Sequence, residues 1–214
     1  LGEMDDFGAD WLLTERGIRP ETVRTHRLTD IYKEKAILAM GAAISATDVD
    51  TCVALGLAAK SKSSDNLFCP VGFAYHLAIP YLTDRGFVAH LQFRRVSRSG
   101  EEAKGPKYMH LRGQVPMPFN LPSTANPPRD DKGRGRVFLV EGALDALSLS
   151  QLGVSALGIP GVGWLDKSRS ERILKRLNGS TDVVLAFDAD EAGRAANTRC
   201  LGVFRDQGAS ALSV

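Results

Sequence analysis

Two unbroken apolar runs, each leading into acidic residues, constrain the fold of this chain more than any other feature. The run 137–140 leads into Glu141, and the run 183–187 leads into Asp188 and Asp190. Such runs are typical of strands buried on both faces, as in a parallel sheet. Residues that directly follow these strands lie at the edge where open α/β sheets bind ligands. We therefore expect the acids to meet at one edge of a sheet.

The last third of the chain alternates between strand-like and helix-like segments. We predict strands at 137–140, 155–159, 183–187 and 211–214, and helices at 142–152, 168–178 and 191–206. This alternation predicts βαβ units and a parallel sheet flanked by helices. Leu144, Leu147 and Leu152 mark the predicted buried side of the first helix, and Gly153 and Gly208 occupy positions typical of C-terminal caps.

The acids have a spacing that suits a cation. Asp188 and Asp190 are two residues apart and would point the same way in an extended segment. Glu141 joins them if its strand is a neighbour, and Asp145 lies on the first turn of the helix that follows Glu141. Gathered carboxylates repel one another, and a hard divalent cation such as Mg²⁺ relieves the repulsion. The pattern predicts a metal site for phosphoryl transfer, although aspartates also cap helices.

A glycine loop, 159–163, follows the second predicted strand at the same edge of the sheet. It lacks the Lys-Ser/Thr pair of a Walker A loop and is too short for a dinucleotide fingerprint. Two interpretations stay open: a tight turn, or a place where a phosphate approaches the backbone.

The first 125 residues have a different character. Residues 1 to about 60 suggest a small helical layer, in which Pro20 opens one helix. Segments 73–80 and 87–93 look like strands joined by a hairpin turn at 83–86. We therefore predict an α/β protein in which a smaller α+β subdomain precedes the parallel sheet.

A basic segment with one aromatic residue follows the predicted hairpin. Its cations and its aromatic ring are Arg94, Arg95, Arg98, Lys104, Lys107 and Tyr108. An ordinary solvated loop is one interpretation. The other is a strip that follows the phosphates of a nucleic acid, with the aromatic ring stacking or packing beside it.

Composition limits the remaining choices. The 214 residues suffice for one large or two small domains, and 24% charged and 43% hydrophobic residues are ordinary for a globular protein. The net charge of +2 does not by itself indicate a nucleic-acid binder. The Pro-, Gly- and charge-rich stretch 126–136 predicts a linker between domains at 1–125 and 137–214. The ends suggest a fragment of a longer protein, truncated within the second domain.

The cysteines and the hydropathy favour a cytoplasmic protein. Cys52, Cys69 and Cys200 are far apart and include no CxxC pair, which argues against a zinc site and a disulfide framework. No apolar stretch approaches the ~20 residues that span a bilayer. We expect reduced thiols, no zinc within this chain and no membrane association.

The acidic segments resemble the Toprim domain, with Glu-Gly-Ala-Leu-Asp at 141–145 and Asp-Ala-Asp-Glu-Ala-Gly-Arg at 188–194. That domain is shared by DnaG-type primases, phage primase–helicases, topoisomerases, OLD-type nucleases and RecR-type repair proteins. The first half of the chain resembles the DnaG-type primases in particular. The segments that carry this resemblance are 11–18, 78–80, 86–88, 93–96 and 106–108.

The resemblance implies roles for individual residues. Glu141 would act as acid/base or metal-linked carboxylate, and Asp145, Asp188 and Asp190 as metal-site acids, with Glu141, Asp188 and Asp190 catalytic. Arg95 and Lys107 would contact the template or the incoming nucleotide. The full set of residues that we predict to bind nucleic acid or nucleotide is Arg94, Arg95, Arg98, Lys104, Lys107, Tyr108 and Arg194.

The implied reaction is template-directed synthesis of short RNA primers from NTPs on single-stranded DNA, with Mg²⁺ or Mn²⁺, during replication. A replicative helicase, in cis or in trans, is the implied partner, and a phage or plasmid primase is one implied source. The family's zinc-binding module has no counterpart here. We therefore expect weak priming at best from this chain alone.

Two other classes of function stay open. One is a Toprim nuclease or a topoisomerase-related domain that uses the same acids, although the basic segment has no ready explanation in a nuclease. The other is a non-catalytic Toprim module that binds nucleic acid or docks a helicase. The intact acids favour an enzyme of the nucleotidyltransferase class.

Overall fold

The structure is a computed structural model that describes residues 4–97, 105–111, 115–177 and 181–214, apart from the side chains of 72 and 73. It divides into two compact units. The first unit comprises Leu1–Glu15, Arg19–Pro80 and Val88–Val115. The second unit comprises Arg16–Ile18, Tyr81–Phe87 and Pro116–Val214.

The helices and strands alternate from residue 135 onward, whereas several helices or strands follow one another directly in the first part of the chain. The helices are α1 (Asp6–Arg16), α2 (Pro20–Thr25), α3 (Lys33–Ala46), α4 (Val49–Ala54), α5 (Ala143–Ser150), α6 (Lys167–Arg176) and α7 (Glu191–Arg205). The strands are β1 (Thr29–Ile31), β2 (Ala59–Lys60), β3 (Leu67–Phe68), β4 (His76–Leu82), β5 (Val88–Arg95), β6 (Tyr108–His110), β7 (Gly135–Val140), β8 (Ser155–Gly158), β9 (Thr181–Leu185) and β10 (Ala211–Ser213). No helix within the described ranges has the length and apolar character needed to cross a membrane.

The second unit contains the predicted parallel sheet. Its strand order is β10-β9-β7-β8, and all three pairs of neighbours are parallel. The connections β7–α5–β8, β8–α6–β9 and β9–α7–β10 each contain a helix, as parallel neighbours require. The predicted fold class, a parallel sheet flanked by helices after a smaller α+β region, is therefore confirmed.

The two central strands are buried because their side chains are apolar on both faces. On one face, Val137, Leu139, Val183 and Leu185 are fully buried and share a core with residues of α6 and α7. Val140 and Val184 are buried on the opposite face. Each such side chain contributes roughly 1.5–3 kcal/mol through the removal of apolar surface from water. Burial of these side chains therefore stabilises the pairing of β7 with β9.

The end of α5 differs from the sequence prediction. Leu144 and Leu147 are buried as predicted, but Leu152 is 68% exposed. The helix stops at Ser150, and Gly153 takes a φ of +76° two residues after the cap Gln151. Leu152 thus lies in the turn that leaves the helix, where the helical period no longer directs a side chain inward.

The first unit is built on a four-stranded sheet with the order β1-β4-β5-β6. The pairs β1–β4 and β5–β6 are antiparallel. The predicted hairpin turn between β4 and β5 is present, with Gly86 at a φ of +77° and the Thr83 N–H donating to Phe87 O over 2.8 Å. Strand β1 was not predicted, because three residues carry no visible period.

A buried polar cluster attaches the start of α1 to the sheet of the first unit. The Tyr75 hydroxyl lies 2.5 Å from oxygens of both Asp5 and Asp30. Lys35 donates to the other oxygen of Asp30, whose side chain is fully buried. Asp5 also accepts from the Gly8 N–H over 2.9 Å at the start of the helix. This cluster fixes the position of α1, which carries Trp11.

Two histidines lie next to each other on β5 and β6. His90 Nε2 is 2.9 Å from His110 Nδ1, so the rings share one hydrogen bond. Burial, and secondarily the charge of His110, lowers the pKa of His90 to about 4. Burial also lowers the pKa of His110 and of His76. These imidazoles are neutral in the folded protein at pH 7.

The segment predicted as a linker lies inside the second unit. The division between the units falls between Val115 and Pro116, before the predicted linker 126–136. Arg129 bridges to Gly135 of β7, and Arg134 forms an ion pair with Asp182 of β9. Composition suggested a linker because few residues in 126–136 are apolar, but backbone pairing and an ion pair attach the segment to the sheet.

We expect Asp30→Ala to destabilise the protein by about 3 kcal/mol, since Lys35 and Tyr75 would each lose a buried partner. Burial alone would raise the pKa of Asp30, but hydrogen bonds from Lys35 and Tyr75 outweigh it and hold the pKa below its ordinary value. Urea unfolding at pH 7 measures the change, with the exposed Asp10→Ala as control. Equal stability of the two variants would contradict the prediction.

Stability should fall as the pH drops from about 6.5 toward 4. Burial lowers the pKa of His76, His90 and His110 in the folded protein, that of His90 to about 4, whereas the unfolded chain protonates them below about 6.5, so protons favour unfolding in this window. We expect a loss of about 2 kcal/mol from His90 alone by pH 5. Urea midpoints between pH 7.5 and 5 should shift less in His90→Gln than in the wild type, and parallel curves would refute the assignment.

Candidate active site

The acids of interest follow the carboxyl ends of the two central strands of the second unit. Leu139 of β7 lies opposite Leu185 of β9, and the Ala186 N–H donates to Leu139 O over 2.9 Å. The pairing continues through a side chain: the Asp188 N–H donates to Glu141 Oε1 over 2.9 Å. Glu141 therefore lies beside Asp188, as expected for neighbouring strands.

Asp190 caps a helix, whereas the sequence placed it in an extended segment with Asp188. Strand β9 ends at Leu185, and Asp190 is the N-cap of α7, where it accepts from the Gly193 N–H over 2.8 Å. The residues 189 and 190 form a bend, so the extended geometry assumed for Asp188 and Asp190 is wrong. The cap uses one oxygen of Asp190, and the side chain stays exposed.

Gly193 allows the first turn of α7 to lie directly on the loop that carries Asp188. A Cβ atom at this position would lie 2.0 Å from Asp188 O, far inside van der Waals contact. Arg194 then folds back over the same loop, and its guanidinium donates to Ala189 O. The loop is therefore held from both sides by residues of one helix.

Exposure and hydrogen bonding separate the four acids. Asp145, Asp188 and Asp190 are exposed and Glu141 is half-buried. Asp145 lies in the first turn of α5, close to Gly142. Within the described residues, the Asp188 carboxylate has no hydrogen-bond partner, and no three His, Cys, Asp or Glu side chains form a metal cage.

The donor set suits a hydrated magnesium ion better than a fully enclosed cation. Mg²⁺ keeps several waters and is usually held by one or two carboxylates together with substrate phosphates. The Glu141 carboxylate lies against the backbone of Asp188, so the side chains of these two residues are the first candidates for such a pair. The assignment of Asp145 and Asp190 as additional ligands stays a prediction.

The glycine loop after β8 forms a tight turn. Gly161 has a φ of +84° and precedes a short 3₁₀ turn over Val162–Trp164. Arg199 of α7 donates to Val162 O, which links the loop to the helix that follows Asp190. The sequence did not single out Arg199, because a lone arginine inside a helix gives no signal of its partner. The phosphate role of the loop stays a prediction.

The basic residues of the first unit lie on two paired strands and in the segment between them. Arg94 lies opposite Tyr108, and the Arg95 N–H donates to Lys107 O over 3.0 Å. Arg98 and Lys104 fall outside the described residues. We call Arg94, Arg95, Lys107 and Tyr108 the basic strand pair.

Arg94 is enclosed rather than exposed. Its residue exposure is 8%, and its guanidinium carbon lies 5.6 Å from the centre of the Trp11 ring and 4.8 Å from that of Tyr108. Trp11 belongs to α1, whose sequence gives no sign of this contact. The predicted stacking residue Tyr108 thus packs on Arg94.

Arg95 packs over a glycine of the turn that leads to Lys107. A Cβ atom at Gly105 would lie 2.7 Å from Arg95 Nη1, and Gly105 has a φ of +109°. Side chains rarely adopt this backbone conformation. Gly105 therefore sets the position of the Arg95 guanidinium, a role that the sequence indicated only through the Gly-Pro pair of a turn.

Comparison with known proteins bears on the domain at the end of the chain and on the fold of the whole chain. Residues 138–214 match the family model described as Toprim-like. None of the curated proteins is similar in sequence to the chain.

Solved structures match nearly the whole chain. The Aquifex aeolicus primase fragment with zinc-binding and RNA polymerase domains has a TM-score of 0.73 at 20% identity, covering 97% of this chain and 49% of its own. The RNA polymerase domain of Mycobacterium tuberculosis primase DnaG has a TM-score of 0.74 at 17% identity, covering 98% and 69%. A DnaG primase catalytic domain bound to ssDNA has a TM-score of 0.64 at 17% identity, covering 91% and 60%.

The chain thus spans about half the length of the Aquifex protein that it matches. Both of its units are covered by the matches to the primase structures. Residues 138–214 are thus similar to the Toprim-like family, and the chain has the fold of the DnaG-type primase catalytic core.

Proposed function

We propose that this chain is the catalytic core of a DNA primase, a nucleotidyltransferase that synthesises short RNA primers from NTPs on a single-stranded DNA template. The observation that carries the proposal is the contact between Glu141 and the Asp188 N–H at the ends of two neighbouring parallel strands. Two solvated carboxylates at this edge suit chemistry on phosphates.

The chain's own residues would act by position and charge. Glu141 holds the Asp188 loop through a hydrogen bond, and Asp188 presents a carboxylate without a protein partner among the described residues. Mg²⁺ or Mn²⁺ held by Glu141 and Asp188, with Asp190 and Asp145 as further candidates, would neutralise charge on the reacting phosphates. Arg194, fixed on Ala189 O beside these acids, would contact the nucleotide.

The basic strand pair supports the choice of a nucleic-acid substrate. Arg95 and Lys107 are joined by backbone pairing and come from adjacent strands, so both cations can contact one phosphate backbone. One of the similar structures is a DnaG catalytic domain bound to ssDNA. By this analogy, single-stranded DNA is the proposed template, and a replicative helicase is a further proposed partner.

Removal of the Asp188 carboxylate should abolish primer synthesis. In the full-length protein that contains this chain, we expect Asp188→Ala and Glu141→Gln to lower the rate at least about 100-fold, since each removes charge that stabilises the transition state. The measurement is incorporation of labelled NTPs on single-stranded DNA with Mg²⁺ or Mn²⁺.

Asp206→Asn is the matched control, because Asp206 is an exposed acid at the opposite end of α7. It should retain full activity. A wild-type protein that makes no primers, or an Asp188→Ala variant that is fully active, would refute the proposal. Metal-dependent degradation of the template instead of synthesis would favour a Toprim nuclease.

A methyl group at position 105 should weaken DNA binding through Arg95. In Gly105→Ala the new Cβ would displace the Arg95 guanidinium, so we expect about a fivefold loss of affinity for single-stranded DNA, in line with one weakened ionic contact. Fluorescence anisotropy with labelled oligonucleotides at several salt concentrations measures this loss.

Gly133→Ala is the matched control for backbone strain. Gly133 also has a positive φ, of +73°, but a Cβ atom there meets nothing within 4 Å. Its substitution should leave DNA affinity unchanged. If both variants bind DNA like the wild type, Arg95 is not a template contact.

A further inference from the structure

The environment of Arg94 is unusual for a cation at a nucleic-acid surface. Its residue exposure is 8%, and its guanidinium is enclosed between the rings of Trp11 and Tyr108. Among the described residues, Arg94 has no carboxylate partner, and its Nε and Nη1 atoms are buried without a hydrogen bond. A buried charge without a counter-ion is costly, and here two π faces offset part of that cost.

This enclosure follows from the alternation of side chains along β5. Arg94 and Arg95 are consecutive in an extended strand, so their side chains leave on opposite faces of the sheet. Arg95 packs over the turn at Gly105, whereas Arg94 lies between the rings of Trp11 and Tyr108. Neighbouring arginines are therefore suited to different tasks.

The Tyr108 ring links Arg94 to Lys107, the cation that precedes Tyr108 in the basic strand pair. Tyr108 is directly opposite Arg94 in the β5–β6 register and is adjacent in sequence to Lys107, whose carbonyl accepts from the Arg95 N–H. A side chain that fixes the Tyr108 ring also fixes the start of β6, and with it the backbone of Lys107.

We propose that Arg94 is a positioning residue that locks Tyr108 between strand β5 and helix α1 and thereby holds Lys107 and Arg95 in place for a single-stranded nucleic acid. It is not itself a phosphate contact. The nucleic-acid ligand in this inference rests on the proposed function. The packing of Arg94 against the rings of Trp11 and Tyr108 belongs to the fold and does not depend on that function. The planar guanidinium is essential to it, because an ammonium group cannot stack on two rings at once.

Four substitutions, two of them at Arg94, distinguish positioning from phosphate contact, with binding of labelled dT oligonucleotides measured by anisotropy across a salt series. Arg94→Lys keeps the charge but loses the planar stack, so we expect affinity to fall about fivefold with the salt dependence unchanged. Lys107→Ala should lower the slope of log affinity against log salt by about 0.7, as expected for one lost phosphate contact on a single strand.

Arg85→Ala, which removes an exposed charge in the β4–β5 turn, should change neither quantity. A wild-type affinity in Arg94→Lys, together with a reduced slope in Arg94→Met, would overturn the proposal and make Arg94 a direct contact.

The ring partner supplies an independent test. Tyr108→Phe retains the stack and should bind DNA like the wild type, whereas Tyr108→Leu should match Arg94→Lys. A double-mutant cycle of Arg94→Lys and Tyr108→Leu in urea unfolding should show coupling of about fivefold in the folding equilibrium constant. Additive effects would overturn the proposal.

The two readouts separate the two hypotheses. If the wild type binds no single-stranded DNA but the unfolding cycle shows coupling, the proposed function fails and the stack stands. If DNA binding is present and the cycle shows no coupling, the positioning role of Arg94 fails alone.

Discussion

The parallel pairing of β7 with β9 is the interaction on which the candidate site depends. Both strands are buried on two faces, and their register places Leu139 opposite Leu185. Backbone pairing beyond the last strand residues then brings Glu141 to the Asp188 N–H. A shift of one residue would exchange the faces on which these side chains pack and would separate Glu141 from the Asp188 N–H. The hydrophobic core thus sets the geometry of an exposed, polar site.

Strand geometry also decides where the arginine side chains of the first unit lie. Alternation along β5 turns one arginine toward the turn at Gly105 and the other between two aromatic rings. The cluster of Asp5, Tyr75 and Asp30 holds the helix that supplies one of those rings. A basic sequence segment therefore becomes a set of cations with different exposure and different partners, and only some of them can meet a phosphate.

Sequence reasoning was most successful where a pattern extends over many residues. Apolar runs and their spacing were sufficient to predict the parallel sheet, its helices and the position of Glu141 beside Asp188. It was less successful where a few contacts decide the outcome. Residue 190 caps a helix instead of continuing a strand, and Leu152 lies exposed in the turn that follows a helix instead of on its buried side. Composition does not report such contacts.

The sequence alone determined the α/β class, the strand-end acids and a Toprim-like and primase-like domain order, because periodicity and motif spacing are properties of the chain. Only the tertiary structure decided which acids accept hydrogen bonds from the backbone, as Glu141 and Asp190 do. Only the structure separated the exposed from the enclosed arginines. The physical reason is that burial, hydrogen bonding and π contacts depend on residues distant in sequence, such as Trp11 and Arg94. Local patterns cannot specify those partners.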